Sequence, residues 1–331
     1  MKTVRTIAIG AGAAMALAAQ AGSALEEITV AYFLEWPMPF QHAKVEGAYD
    51  AALGVKVNWV SFESGTAMSA AMASGDVHMA VSQGATPVVV ATSAGQDLQI
   101  LDVAISYADN DNCVVAERHE IDQASARELE GKKVGLPQGT TAHFGFLRQM
   151  EHFGVDLSTM QIVDMAPADG AAAFAQGELD MVCGWGGALG RMKEHGNVLL
   201  TGAEKEALGI LVFDVTSAPA GFIAENPDLV AKFLKVTADA NAAWNGGDDA
   251  TMLPVIARDA GMDEDATASF LDTVRFPGVE EQLSDKWLGG TVQAYLKGVA
   301  DVFVEAGGID AALPTYDNAV NASPLTAVAS M

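Results

Sequence analysis

Cysteine is scarce in this chain of 331 residues, which has two, and positive charge is scarcer still relative to its counterpart: 18 Lys and Arg stand against 43 Asp and Glu, for a formal net charge of −25. So acidic a balance argues against nucleic acid as a partner, because phosphate binding depends on clustered Lys and Arg. It also repels anionic lipid headgroups and keeps a protein soluble. No apolar run beyond the N-terminal segment is long enough to span a bilayer. The sequence contains no G-x-S-x-G elbow and no H-E-x-x-H zinc motif, and its histidines (His42, His78, His119, His143, His152, His195) form no tight ligand spacing. The segment GWGGALG imitates a dinucleotide loop, but its third glycine comes one residue late and no acid stands clearly about 20 residues on. Enzymatic chemistry and a bound cofactor are therefore not expected.

What is present begins with MKTVRTIAIGAGAAMALAAQAGSA, which has the pattern of a secretory leader: Lys2 and Arg5, a small apolar stretch, then small residues. We read residues 1–24 as a signal peptide cleaved after Ala24, with Ala19-Gln20-Ala21 as a second candidate site. Neither site is followed by cysteine, so no lipid anchor is expected, and the mature protein should be soluble and exported. After export Cys113 and Cys183, both in strand-like contexts, either pair across neighbouring strands or stand as two buried thiols.

Short β-rich runs alternate with Ala-rich helical stretches, the pattern of parallel strands joined by helical crossovers. Strands are predicted over Ile28–Phe33, Val55–Phe62, Val77–Ser82, Leu98–Ser106, Cys113–Glu117, Lys133–Leu136, Gln161–Met165, Met181–Gly184, Val198–Thr201 and Leu211–Val215. Helix starts are predicted at Ser64-Gly65-Thr66, Gly84-Ala85-Thr86-Pro87, Gly139-Thr140-Thr141 and Ala166-Pro167. From Asn226 the chain reads as successive helices with no further strand, the first with an apolar face at Leu229, Phe233, Val236 and Ala240. A mature chain of about 300 residues exceeds what one core usually serves. The expected architecture is α/β with two doubly wound lobes: residues 25–110 with 216–331 form lobe 1, and residues 111–215 form lobe 2. The chain would cross between them near Tyr107–Asn112 and Phe213–Ser217, a two-strand hinge around a cleft.

Ligands of open parallel sheets bind beyond the carboxyl ends of the strands. At the first such end stands FLEWPMPF, where the rings of Trp36 and Phe40 could attract an organic cation and Glu35 could offset its charge; two aromatics capping a core is the plainer alternative. The next ends, FESGT (Ser64, Thr66), SQGATP (Ser82, Gln83) and LPQGTTAHF (Thr140, Thr141, His143), place glycine and hydroxyls at helix starts, where free N–H groups seat anions. Ordinary capping explains each of them singly. Trp185 directly follows a predicted strand. Asp214 lies within the apolar run GILVFDV, where a buried carboxylate needs a positive partner from either ligand or protein. Anion seats on one side and acid with aromatics on the other suit a zwitterion.

The segments AYFLEWPMPF, FESGTAMSAAMASGDVHMAVSQGATP, LPQGTTAHFGFL, GELDMVCGW and ILVFDVTSAP resemble the nitrate, sulfonate and taurine substrate-binding proteins of ABC importers, the taurine-binding members above all, over essentially the whole mature chain. That resemblance implies a type II periplasmic binding fold, a monomer that closes on taurine in the periplasm and delivers it to an inner-membrane permease coupled to an ATPase. It implies a sulfonate held by main-chain amides and hydroxyls at the helix start carrying Thr140, Thr141 and His143. It also implies an ammonium taken by Asp214 on the second crossing strand, with Trp185 as the aromatic after its strand. The sequence departs from the enterobacterial pattern at FLEWP, where a shorter polar loop is usual, and at Gln83, where a small residue often stands. Another sulfonate, a quaternary ammonium compound or a thiamine pyrimidine precursor is the alternative ligand.

Overall fold

The computed structural model describes residues 25–107 and 109–331; the leader expected over residues 1–24 lies outside them. Eleven strands form two sheets among the described residues: β1 (Glu27–Phe33), β2 (Lys56–Phe62), β3 (Met79–Gly84), β4 (Leu98–Tyr107), β5 (Asp111–Ala116), β6 (Lys133–Leu136), β7 (Gln161–Asp164), β8 (Met181–Trp185), β9 (Gly196–Val198), β10 (Phe213–Pro219) and β11 (Val274–Arg275). The first sheet has the order β11-β4-β10-β3-β1-β2 and the second β7-β6-β8-β5-β9. In each, parallel pairs (β1 with β2 and β3; β6 with β7 and β8) adjoin antiparallel ones (β10 with β3 and β4; β5 with β8 and β9). The expected bilobal α/β fold is the one found.

The parallel pairs arise where sequence alternates strand and helix. In β1, EITVAYF supplies β-branched and aromatic residues, and its second half is buried on both faces as central strands are. A helix then needs a start that satisfies its first N–H groups. Ser64 supplies one for the Gly65–Ser74 helix, its hydroxyl accepting from Ala67 N, and Thr140 supplies one for the Thr141–Phe153 helix, accepting from His143 N. The chain leaves the first sheet at the end of β4, enters the second at Asp111, and returns in β10, which lies between β3 and β4. The outgoing and returning chains touch: Tyr107 N donates to Val212 O at 3.1 Å.

Several expectations need correction. The ninth strand is Gly196–Val198 rather than Val198–Thr201, because Thr201 is taken by a capping box with Glu204 at the next helix. β10 starts two residues later than the apolar run suggests and continues to Pro219 beside β4, so the division between residues 215 and 216 falls inside a strand of the first sheet. A strand does return after Asn226: β11, two residues long, pairs with the end of β4 and is too short to show alternation. The Pro227–Asn245 helix buries Val230, Phe233, Leu234, Thr237, Ala240 and Asn241, a stripe offset from the predicted one; Leu229 and Val236 are only half-buried. Phe40 stacks on Trp59 (centroids 5.5 Å apart) in the core of the first lobe, the plainer of the two expected roles.

Cys113 and Cys183 stand opposite each other in the antiparallel β5–β8 pair and are joined as a disulfide, closing a loop of sequence separation 70. A cross-link of that span removes roughly 4 kcal/mol of unfolded-state entropy at most. The Cys113→Ser/Cys183→Ser double variant is expected to melt on the order of 5–10 °C lower by calorimetry; a melting point unchanged by the variant, and by reductant, would show the thiols unpaired in solution.

Candidate functional site

A narrow chamber with a cavity volume of about 20 Å³ lies where the carboxyl ends of the two sheets face each other. Asp214 forms its acidic wall. The residue is 3% exposed, and each carboxylate oxygen accepts one neutral donor: Tyr107 Oη at 2.6 Å to Oδ1 and Ser82 Oγ at 2.8 Å to Oδ2. Ser82 is itself held by Trp36, whose Nε1 donates to Ser82 Oγ at 2.8 Å. Ser82 has φ +59°, a left-handed conformation that costs a non-glycine residue about 1 kcal/mol and that accompanies its placement against the acid. No Lys or Arg pairs with Asp214 among the described residues. Burial accordingly pushes its carboxyl up to about 7, against the lowering effect of the two hydrogen bonds.

Helix starts supply another part of the lining. Gly65, Gly84 with Pro87, and Thr140 with Thr141 line it, each from the first turn of a helix whose leading N–H groups lack intrahelical partners. Thr141 Oγ1 is buried and has no hydrogen-bond partner among the described residues. A Cβ at Gly84 would lie 2.5 Å from that oxygen and 3.6 Å from Asp214 Oδ1, so three elements converge within van der Waals range at this point. Phe33, Trp36, Tyr107 and Trp185 supply apolar walls, with Phe33 and Trp185 at 5.9 Å between centroids.

Of the residues singled out from sequence, Trp36, Thr140, Thr141, Trp185 and Asp214 line the chamber. The others do not. Glu35 has φ +53° and is paired outside with Arg191 (Nη1 to Oε1 3.1 Å, Nη2 to Oε2 3.0 Å), while its backbone oxygen accepts from Gly187 N at 3.2 Å. The expectation that it offsets a ligand's charge is corrected: its turn carries the carboxylate to a neighbouring cation. Ser64 caps its helix and contacts Thr66 Oγ1 at 2.9 Å; it is Gly65, between them, that reaches the chamber. Gln83 is buried structure, with Nε2 on Gly65 O and Ser69 Oγ and with Oε1 accepting from Ser217. Ser82 acts on Asp214 rather than on the chamber. His143 Nδ1 accepts from Gly139 N at 3.1 Å and its ring packs edge-on to Phe303; burial pushes its pKa down to about 4, so the ring is neutral at physiological pH.

Tyr107 and Asp111 were missed. Both fall in the first crossing, Tyr107–Asn112, which the strand pattern locates without saying which side chains turn inward. Asp111 is 3% exposed, and burial pushes it up to about 7 against the lowering effect of Lys205.

The taurine-binding periplasmic protein of Escherichia coli (strain K12) is 24% identical to this chain over 298 residues, which cover 88% of the chain and 91% of that relative. The alkanesulfonate-binding protein SsuA from Xanthomonas axonopodis pv. citri, solved bound to MOPS, has a TM-score of 0.73 at 19% identity and covers 89% of this chain and 98% of its own. The desulfurization enzyme DSZB has a TM-score of 0.62 at 14% identity, covering 92% and 99%. These two structures share the fold alone, and one frame thus serves both a binding protein and an enzyme. Residues 38–266 match the family described as NMT1/THI5 like, and the chain belongs to that family.

Proposed function

We propose that the protein is the periplasmic substrate-binding component of an ABC importer, that it captures a small aminosulfonate, taurine foremost, and that it passes the ligand unchanged to a membrane permease and its ATPase. The lobes are taken as expected, residues 25–110 with 216–331 and residues 111–215, except that Phe213–Val215 go with β10 to the first lobe. One observation carries the reading: a buried aspartate with no protein cation among the described residues shares a narrow chamber with helix starts and an unpartnered hydroxyl. A sulfonate stays anionic at physiological pH and spreads its charge over three acceptors, so several neutral donors suit it. The ammonium then supplies the charge that Asp214 lacks. The relative named as taurine-binding, which spans nearly the whole chain, supports the choice of ligand.

Thermal-shift and calorimetric titration of the mature protein against taurine, hypotaurine, alkanesulfonates, glycine betaine and thiamine pyrimidine precursors tests this. Taurine is expected to raise the melting temperature most and to be recovered intact. A response to alkanesulfonates equal to that for taurine would remove the amine from the reading; a response only to a pyrimidine or a betaine would move the protein to another ligand class. Conversion of taurine by the pure protein would make it an enzyme.

A further inference from the structure

We propose that the cationic end of the ligand is gripped by two carboxylates, Asp214 from the first lobe and Asp111 from the second, and that the group they hold is an ammonium bearing hydrogens. This deepens the aminosulfonate reading and rests on it. Asp111 opens β5 and stands opposite Trp185 in the β5–β8 register, so the strand that begins the second sheet delivers its side chain to the chamber wall that Trp185 shares. It is as buried as Asp214 and lines the same chamber. The two acids are otherwise differently served. Asp214 has one neutral donor on each oxygen, whereas the Asp111 carboxylate accepts no hydrogen bond from the described residues. Lys205, 2% exposed, sits behind Asp111, but its Nζ donates to the Asp111 backbone oxygen rather than to the carboxylate.

Charge and hydrogen bonding then point the same way. Two buried acids face one buried lysine, so one positive charge is missing from the acidic half of the site, and a ligand ammonium is one charge. A carboxylate offers about four acceptor directions, and those of Asp111 are unfilled. Three N–H groups can serve both acids at once, while a quaternary nitrogen has none to give and would leave buried acceptors dry. Because the acids come from different sheets, such an ammonium also ties the lobes together. The unpartnered Thr141 hydroxyl in the same chamber leaves a donor for the anionic end.

The test is calorimetric titration of the mature protein and of Asp111→Asn with taurine, ethanesulfonate and N,N,N-trimethyltaurine. Asp111→Asn is expected to weaken taurine about 30-fold, in line with loss of a charged hydrogen bond, and to change ethanesulfonate by less than about threefold. Trimethyltaurine should bind the unmodified protein about 30-fold more weakly than taurine. Since Asp111→Asn leaves Lys205 buried without its acid, the double variant Asp111→Asn/Lys205→Met is measured beside it, and its taurine affinity decides the matter if the single variant does not fold. Taurine binding within threefold of the unmodified protein in the folded variant, or equal binding of taurine and trimethyltaurine, would overturn the proposal and leave the sulfonate reading standing. If the unmodified protein bound neither taurine nor ethanesulfonate, the sulfonate reading would fall and this proposal with it.

Discussion

Asp214→Asn is expected to weaken taurine binding about 100- to 1,000-fold, the usual consequence of removing one partner of a desolvated, hydrogen-bonded charge pair. The same substitution should leave the ligand-free protein as stable as before at pH 8, or more so. The reason is the sign of the pKa shift. A carboxyl raised from 3.8 to about 7 by burial binds its proton more tightly folded than unfolded, so its contribution to stability is fully present at acid pH and is lost as pH rises toward and through 7. Asn carries no charge to bury, although its amide serves the Tyr107 and Ser82 donors less well than a carboxylate. Ligand binding runs the other way with pH. An ammonium requires the ionised acid, so through Asp214 alone taurine affinity should fall about 100-fold between pH 8 and pH 5, with one proton displaced near pH 5. The charged and titratable groups facing Asp214 are Tyr107, whose hydroxyl burial holds well above its usual range, and Asp111, raised alike to about 7; Lys205 stands behind the latter. With Asp111 sharing the ammonium, the slope steepens toward two protons, and Asp214→Asn removes one of them. Calorimetry across pH in buffers of different ionisation enthalpy counts these protons. An affinity independent of pH in the unmodified protein, or unchanged in the variant, would take Asp214 out of the cationic subsite.

The parts of this site legible in the sequence are those fixed locally. Strand ends follow from alternation, and helix starts follow from the Ser, Thr and Gly that cap them, so Thr140, Thr141 and Trp185 could be placed near a cleft before any contact was known. Asp214 was legible for a different reason: a carboxylate inside GILVFDV is costly wherever the run is buried. What eluded the sequence is which partner each polar group finds across the fold. Ser82 looks like one more hydroxyl at a helix start, but its left-handed backbone sets it under Asp214, 132 positions away. Glu35 looks like part of the site, yet Arg191, remote in sequence, takes it. Tyr107 reaches Asp214 over a separation of 107 residues. Such pairings are decided by sheet order, and the antiparallel insertion of β10 between β3 and β4 is what brings residues 82, 107 and 214 together.

Gly84→Ala should separate closure of the lobes from stability of each lobe. Gly84 ends β3 and caps the Ala85–Ser93 helix at φ −56°, a conformation alanine adopts without strain, so nothing within the first lobe opposes the added methyl group severely; Pro87 Cδ at 3.3 Å is its nearest neighbour there. The obstruction comes from Thr141 Oγ1 at 2.5 Å, on the first turn of a helix that packs against the second sheet. Thr141 is β-branched and buried, so turning its hydroxyl away brings its methyl group around instead. The lobes must then stay further apart, and the anion-side donors stand off from a ligand held by Asp214. Loss of taurine affinity of about 100-fold is expected, with the ligand-free melting temperature within about 2 °C of the unmodified protein, as misplacing a site by about 1 Å commonly produces. Thr141→Ala in the same chain removes the obstructing atom. The double variant should therefore bind taurine more tightly than Gly84→Ala alone, recovering about tenfold, a coupling of the kind that positions in contact show. If Gly84→Ala lowered the ligand-free melting temperature as strongly as it weakened binding, or if Thr141→Ala gave no recovery, the contact would belong to folding of the chain rather than to shutting the cleft on its ligand.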